Sequence, residues 1–212
     1  MTWWHPQRNG TLQPHEVTPG SHRKVWWRCK CGHEWEAQVF SVVLEECGCP
    51  YCAGKLVIPG ETDLATVHPE LAAQWDHEKN GSIVPQEILP SSHRKVWWRC
   101  ELNHSWQAAP FARTKEKGTN CPYCAGKKVL SGFNDLKTLN FAVAREWYQP
   151  LNGSLMPTDV TLGSNKKVWW QCDQGHIWQA AIYSRTRKNN SGCPVCAGTA
   201  KRSNVFKFSS IA

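Results

Sequence analysis

The chain has 212 residues, 11 cysteines and a formal net charge of +8. An odd number of cysteines excludes a framework in which every cysteine forms an intramolecular disulfide. Because no apolar run approaches the length of a membrane span and the first residues lack the pattern of a secretory signal, we expect a cytoplasmic protein with reduced thiols and no membrane contact.

The sequence repeats itself three times. Equivalent cysteines at positions 29, 100 and 172 follow one another at steps of 71 and 72 residues, and such a period indicates tandem modules rather than one continuous core. A module of about 50 residues buries little apolar surface, so it normally needs a metal or a disulfide. The predicted boundaries are modules at 1–54, 75–126 and 147–198, linkers with a short helix at 55–74 and 127–146, and a basic mobile tail at 199–212.

The predicted elements follow the same order in each module. The β-branched and aromatic residues of K-V-W-W favour a strand that runs into a turn, and H-x-W-x-A favours the returning strand of a hairpin. C-P-x-C-A-G forms a second turn, in which proline fixes the backbone and glycine permits positive φ. Apolar residues at helical spacing then predict short linking helices. The expected fold is a small α+β chain of three tandem modules, each a β-hairpin and a second turn, with short linking helices.

Four candidate metal ligands recur in each module. Two ligands in one turn and two more in a second turn about 15 residues later can close a tetrahedron, which is the geometry of structural zinc. Four protein ligands leave no open position for water or substrate, and iron is less suited to a set that includes histidine. We therefore predict three structural Zn²⁺ ions. The ligand sets are Cys29, His33, Cys49 and Cys52; Cys100, His104, Cys121 and Cys124; and Cys172, His176, Cys193 and Cys196.

Two cysteines remain outside these sets, and both lie in the first module. Cys31 belongs to C-K-C-G-H, and Cys47 precedes the C-P-Y-C turn. Either could replace a ligand or be a free thiol with no role, and the sequence leaves both alternatives open.

The combination of W-W-x-C-x3-H-x-W, an Arg-containing segment and C-P-x-C-A-G resembles an uncharacterised bacterial and phage family of probable zinc-ribbon or treble-clef repeats. The resemblance covers nearly the whole chain. It implies tandem zinc modules, in some members joined to restriction-type or mismatch-repair-type nuclease domains, and hence a role in handling DNA in a bacterium or phage. The first module departs from the pattern, because Val42 occupies the place of Arg113 and Arg185, and Glu45 and Glu46 replace basic residues.

Basic residues are concentrated in the third module and the tail. Each Zn²⁺ bound by three thiolates carries a local charge of −1, so three sites lower the net charge from +8 to +5. Residues 132–212 hold 10 basic and 4 acidic side chains, against 6 and 5 in 1–60 and 9 and 8 in 61–131. We expect this region to contact phosphate. The alternative is a solvated basic face or local compensation of the thiolate charge. The candidate residues are Lys166, Lys167, Arg185, Arg187, Lys188, Lys201 and Arg202.

The paired tryptophans of the K-V-W-W strands give a second signal. Neighbouring strand residues point to opposite faces, so only one tryptophan of each pair can face the ligands and the core. The other shares its face with cations, where it could stack a nucleic-acid base. Alternatively, it is buried against a linker helix with an arginine over its ring, and both interpretations stay open. The predicted nucleic-acid contacts here are Lys24, Trp26, Arg28, Lys95, Trp97, Arg99, Lys167 and Trp169, together with Arg113.

No set of catalytic residues recurs or stands out, so we expect neither enzymatic activity nor a small-molecule substrate. The predicted function is zinc-stabilised binding of nucleic acid, with DNA as the expected polymer. The alternative is a non-catalytic adapter whose Trp-rich surface docks a nuclease or another defence or replication subunit. Salt dependence distinguishes the two, because phosphate binding weakens steeply with salt and apolar docking does not.

Overall fold

A computed structural model describes residues 3–188 and 191–199 and the backbone of residues 205–206. It divides into two compact units, which meet in the sequence between Thr119 and Asn120. Among the described residues, no helix combines the length and the apolar character needed to cross a bilayer. Lys201 and Arg202, predicted to contact phosphate, lie outside the described residues.

Each sequence repeat forms one antiparallel hairpin, as predicted. In every hairpin the second tryptophan of K-V-W-W lies opposite the tryptophan of H-x-W. A third strand pairs with the last hairpin through Val205 and Phe206, a pairing that the sequence did not predict within the tail. The strands are β1 (Lys24–Arg28), β2 (Glu34–Gln38), β3 (Val96–Arg99), β4 (Ser105–Ala108), β5 (Lys167–Gln171), β6 (Ile177–Ala181) and β7 (Val205–Phe206).

The described α-helices are all four or five residues long, too short to be stable in isolation, and each module also has a three-residue 3-10 helix: Pro14–Glu16, Pro85–Glu87 and Pro157–Asp159. Three of the α-helices follow the hairpins directly, two precede β3 and β5, and two pairs lie in the predicted linkers. They are α1 (Val39–Val43), α2 (Leu64–Val67), α3 (Pro69–Ala72), α4 (His77–Asn80), α5 (Pro110–Thr114), α6 (Leu136–Leu139), α7 (Phe141–Ala144), α8 (Gln149–Asn152) and α9 (Ile182–Thr186).

The centre of each hairpin's core is the second tryptophan of its K-V-W-W strand. Trp27, Trp98 and Trp170 are fully buried. Each indole N–H donates to a backbone carbonyl of the returning strand, at 3.1, 2.9 and 3.0 Å respectively. Burial of this large ring is favourable because it supplies much of the apolar contact in a small module and its N–H keeps a hydrogen-bond partner. Each ring also meets a second tryptophan edge-on, at 5.8, 5.5 and 5.5 Å between centroids.

The predicted linker helices are present, and they pack against the module that follows them. The amide of Leu64 donates to the carbonyl of Ile88 at 2.8 Å, and the amide of Leu136 donates to that of Val160 at the same distance. Both leucines are fully buried. The segments 55–74 and 127–146 therefore supply core residues to the next module, beyond connecting the two.

A buried aspartate begins each linker helix pair. Asp135 accepts hydrogen bonds from the amides of Gly132 (2.6 Å) and Thr138 (2.9 Å) and from the Thr138 hydroxyl (2.7 Å). Burial by itself would raise the pKa of Asp135, but these hydrogen bonds hold it below its ordinary value of 3.8. Asp63 is bound in the same way by Gly60 and Thr66, which also lowers its pKa. The charged caps fix where the helices start.

Candidate zinc centres and nucleic-acid interface

The first ligand pair of each module lies in a tight turn at the end of a strand. In the first module the Cys29 amide donates to the His33 carbonyl at 3.0 Å and the Gly32 amide donates back to Cys29 at 3.0 Å. The residue before each ligand histidine has positive φ, with values of 87°, 60° and 78° for Gly32, Asn103 and Gly175. Glycine and asparagine are the residues that adopt this conformation most readily. The recurring G-H or N-H is therefore a requirement of the turn.

The ligand atoms of the first module have the spacing of a zinc tetrahedron. The Cys29 and Cys52 sulfurs are 3.7 Å apart. His33 Nδ1 lies 3.5 Å from Cys29 Sγ, 3.6 Å from Cys49 Sγ and 3.2 Å from Cys52 Sγ. Tetrahedral Zn²⁺ with ordinary bond lengths requires about 3.8 Å between sulfurs and about 3.6 Å from sulfur to nitrogen. The donor set fits zinc, and Nδ1 is the ring nitrogen turned to the metal position.

The third module repeats this geometry. Cys172 Sγ lies 3.5 Å from His176 Nδ1 and 3.9 Å from Cys196 Sγ, and Cys196 Sγ lies 3.4 Å from His176 Nδ1. In all three predicted ligand sets the four ligand atoms lie within 4.8 Å of one another. The chain therefore has three structural zinc sites of the Cys3His type, as predicted. When bound, zinc holds the two turns of a module together, and four protein ligands leave no position for a substrate.

Protons compete with zinc for these thiols. Burial raises the pKa of Cys29, but hydrogen bonds from the His33 backbone and the Cys52 side chain outweigh it and lower the pKa to about 7. The neighbouring Cys193 thiol and burial raise the pKa of Cys196 to about 11. Without metal, the first and third clusters thus each favour one thiolate and keep another thiol protonated. Zinc binding has to release those protons.

The two additional cysteines of the first module lie outside its ligand cluster. His33, rather than Cys31 or Cys47, lies with Cys29, Cys49 and Cys52. Both additional thiols are exposed. In this arrangement neither replaces a ligand.

Arg113 was predicted to contact nucleic acid, and this prediction is wrong because the side chain is part of the core. Only 4% of Arg113 is exposed. Its guanidinium carbon lies 4.3 Å from the ring centroid of Trp98 and 5.2 Å from that of Trp106. Nη2 donates to Gln74 Oε1 at 2.7 Å, and Nε donates to the Thr119 carbonyl at 3.2 Å. Cation–π contact and hydrogen bonds occupy the guanidinium inside the protein.

The same correction applies to Arg185 in the third module. It is 3% exposed, its guanidinium carbon lies 4.9 Å and 5.1 Å from the rings of Trp170 and Trp178, and Nη2 lies 2.7 Å from Glu146 Oε2. The first module replaces this ion pair with apolar residues, because Val42 and Trp3 stand at the equivalent positions. The departure noted at Val42 is therefore an exchange of core partners.

Trp26, Trp97 and Trp169 lie on the outer faces of their strands and are half-buried. Arg8 lies 3.6 Å from the Trp26 ring centroid, and Lys79 lies 4.5 Å from that of Trp97. Both cations come from the same module as the ring: Arg8 lies before β1, and Lys79 lies in α4 before β3. These ring faces are therefore partly covered.

An asparagine holds the backbone of each outer tryptophan, and this role was missed in the sequence. The Trp169 amide donates to Asn152 Oδ1 at 2.8 Å, and Asn152 Nδ2 donates to the Trp169 carbonyl at 2.9 Å. Asn9 and Asn80 bind Trp26 and Trp97 in the same way. The recurring N-G pair was the available signal. The asparagine side-chain amide hydrogen-bonds to both the N–H and the C=O of one strand residue, as the backbone of a neighbouring strand would.

The remaining predicted basic contacts divide into paired and exposed side chains. Arg99 Nη2 lies 2.8 Å from the buried carboxylate of Asp76 and 2.9 Å from Glu78, which engages it within the protein. Arg28 lies 4.0 Å from Glu34. Arg187 is exposed over the ring of Tyr183, at 5.4 Å. Five lysines are exposed and form no ion pair with the part of the chain that the structure describes: Lys24, Lys95, Lys166, Lys167 and Lys188.

A family described as a probable treble clef zinc finger domain matches residues 1–55, 71–127 and 143–199. The chain is also 32% identical, over 91 residues, to the SPbeta prophage-derived uncharacterized protein YomD of Bacillus subtilis (strain 168). That match covers 43% of this chain and 30% of the prophage protein. The three family matches coincide with the three sequence repeats and include most of the chain, which confirms the predicted resemblance. The chain therefore belongs to the family of probable treble clef zinc finger domains.

Proposed function

We propose that this chain is a non-enzymatic nucleic-acid-binding protein, with DNA as its polymer, in which zinc only maintains the fold. The observation that carries the proposal is an exposed lysine at the start of each K-V-W-W segment, without an ionic partner among the described residues. These lysines are Lys24, Lys95 and Lys167. Phosphate attracts such unpaired cations and releases counterions on binding them.

The buried arginines leave fewer candidate contacts than the sequence predicted. The exposed cations are Lys24 and Lys95 in the first unit and Lys166, Lys167, Arg187 and Lys188 in the second. On the outer face of the first hairpin, Glu36 lies opposite Trp26, whereas Gln107 and Gln179 occupy this position in the other hairpins. A carboxylate repels phosphate, so the second and third modules bind nucleic acid more strongly than the first.

Protein docking is the second candidate function. It is favoured by Leu139 and Phe141, which are 54% and 66% exposed where α6 meets α7. Exposed apolar side chains that lie close together are a common feature of protein-binding surfaces. Binding of such a partner would persist at high salt, in contrast to phosphate binding.

The test compares lysine variants of the zinc-loaded chain. Lys95→Gln with Lys167→Gln removes two unpaired cations, and Lys137→Gln on α6 is the matched control at an exposed lysine. Anisotropy of labelled DNA across a salt series should show weaker binding for the double variant, with the salt slope reduced by about 0.9 for each lost phosphate contact on duplex. The control should match the unmodified chain. Equal binding by all three proteins would overturn the proposed surface.

A further inference from the structure

We propose that the polymer is bound as a single strand, with unpaired bases stacking on Phe40, Phe111 and Tyr183; the inference rests on the proposed function. Each of these aromatic residues lies beside the loop that precedes the K-V-W-W strand of its module. An aromatic residue and its loop are named a platform. The loops are residues 21–24, 92–95 and 164–167, of which the first and third end on the first residue of β1 and β5.

The local structure fixes every platform in the same way. The aromatic residue is the second residue of α1, α5 or α9, and its amide donates to the carbonyl of the loop serine at 2.9, 3.1 or 2.9 Å. The serine hydroxyl accepts a hydrogen bond from the amide two residues later, at 3.2, 3.3 or 3.3 Å. Such serine turns constrain the loop. Ring and cations are thus held together before any ligand binds.

Two of the three platform rings are exposed, whereas Phe40 is half-buried, as the outer strand tryptophans are. Phe111 is 37% exposed and Tyr183 is 45% exposed. A cation from the end of the same helix reaches each ring, because Lys115 Nζ lies 4.3 Å from Phe111 and Arg187 lies 5.4 Å from Tyr183. These flexible cations can turn to a phosphate when a base takes their place.

The three platforms differ in ways that rank them. His22 and His93 lie against the rings of Phe40 and Phe111, at 5.4 and 4.4 Å between centroids, and cover one face. The third loop has Asn165 at this position, and Tyr183 is the most exposed of the three rings. The first platform has Leu44 where the others have Lys115 and Arg187. We therefore expect the third platform to contribute most to binding and the first to contribute least.

A cleft beside the third loop offers room for the next nucleotide. It is lined by Lys127, Asp159, Ser164 and Lys166, among others. The Asp159 carboxylate accepts a hydrogen bond from the Met156 amide at 2.9 Å and adds one negative charge to the lining. The two lysines of the lining attract a phosphate-bearing chain.

These features favour a single strand because a base presents its faces only when it is unpaired. Stacking of a base on an aromatic side chain, with cations at the phosphates, is the general mode of single-strand binding. A duplex reaches the lysines alone. Loss of a platform ring should therefore weaken single-strand binding and leave duplex binding unchanged.

The experiment measures binding of zinc-loaded variants to a labelled oligothymidylate and to a duplex of equal length. Tyr183→Leu retains an apolar side chain and removes the aromatic face, and Phe111→Leu does the same in the second module. Phe141→Leu, at a phenylalanine that is 66% exposed and outside the platforms, is the matched control. Zinc content and circular dichroism confirm folding. We expect Tyr183→Leu to weaken oligothymidylate binding by about fivefold or more, with a smaller effect for Phe111→Leu.

Three results would overturn the inference. Unchanged oligothymidylate binding by both platform variants, with weaker binding by Lys167→Gln, refutes the platforms and leaves the proposed function intact. Equal weakening of single-strand and duplex binding by Tyr183→Leu refutes stacking as its cause. Failure of the unmodified chain to bind either polymer at low salt overturns the proposed function itself, and the inference with it.

Discussion

The buried ion pair of the third module offers a direct test of the structural role assigned to its arginine. Arg185→Val leaves Glu146 without its partner and opens a space between Trp170 and Trp178. Breaking a buried pair costs about 3–5 kcal/mol. The Glu146 side chain is 24% exposed, so water can reach it. We therefore expect Arg185→Val to lower the free energy of unfolding by about 3 kcal/mol.

A second variant copies the pairing of the first module. Arg185→Val with Glu146→Trp reproduces Val42 and Trp3, so the two substitutions should compensate each other. Urea unfolding at a fixed excess of free zinc, followed by tryptophan fluorescence, gives both free energies. We expect the double variant to recover at least about 1 kcal/mol relative to the single variant.

Nucleic-acid binding provides the refuting outcome. Folded Arg185→Val should bind DNA as the unmodified chain does, because the guanidinium is inside the module. A loss of stability below about 0.5 kcal/mol together with weaker DNA binding would show that Arg185 is a contact residue, as the sequence alone suggested.

Three further predictions follow from the same structure. Chelation of zinc at neutral pH should unfold the modules, because two-stranded hairpins and helices of one turn are not stable alone. A metal-free protein that keeps its native circular dichroism spectrum would contradict this prediction. Asn152→Ala should lower the free energy of unfolding in urea by about 2 kcal/mol, because the Trp169 amide and carbonyl lose their hydrogen bonds to the Asn152 side chain. Asn165→Ala, in an exposed loop, is the control and should leave the free energy of unfolding almost unchanged. Asp135→Asn should destabilise the chain equally at pH 7 and pH 5: the folded pKa lies below 3.8, so the carboxylate's contribution is complete above 3.8 and is lost only as pH falls through the lowered value. A destabilisation that disappears between pH 7 and pH 5 would contradict the last assignment.

The zinc sites and hairpins could be predicted because their determinants are local in sequence. A C-x3-H turn places its two ligands together whatever the rest of the chain does, and the second turn follows after one short helix. The alternation of buried and outer tryptophans also follows from strand geometry. The linker helices were predicted from their apolar spacing. Their packing on the following module depends on contacts with the segments at Ile88 and Val160, which periodicity does not indicate.

The buried arginines could not be assigned because their partners are distant in sequence. Arg113 and Gln74 are separated by 39 residues, as are Arg185 and Glu146. In a short helix with one arginine, the sequence is the same whether that arginine is buried or contacts phosphate. In the first module both positions change together, to Val42 and Trp3. This joint change indicates a contacting pair, but it is recognised only when the structure shows that the two positions are in contact in the other modules.

The most direct test of the central claim is the salt dependence of binding between the zinc-loaded chain and a labelled single strand of 20 nucleotides. Phosphate contacts by at least three lysines predict that the logarithm of affinity falls with the logarithm of salt concentration with a slope of about −2 or steeper. A slope near zero, or no binding at low salt, would contradict the account, and binding to protein partners would be the next property to test.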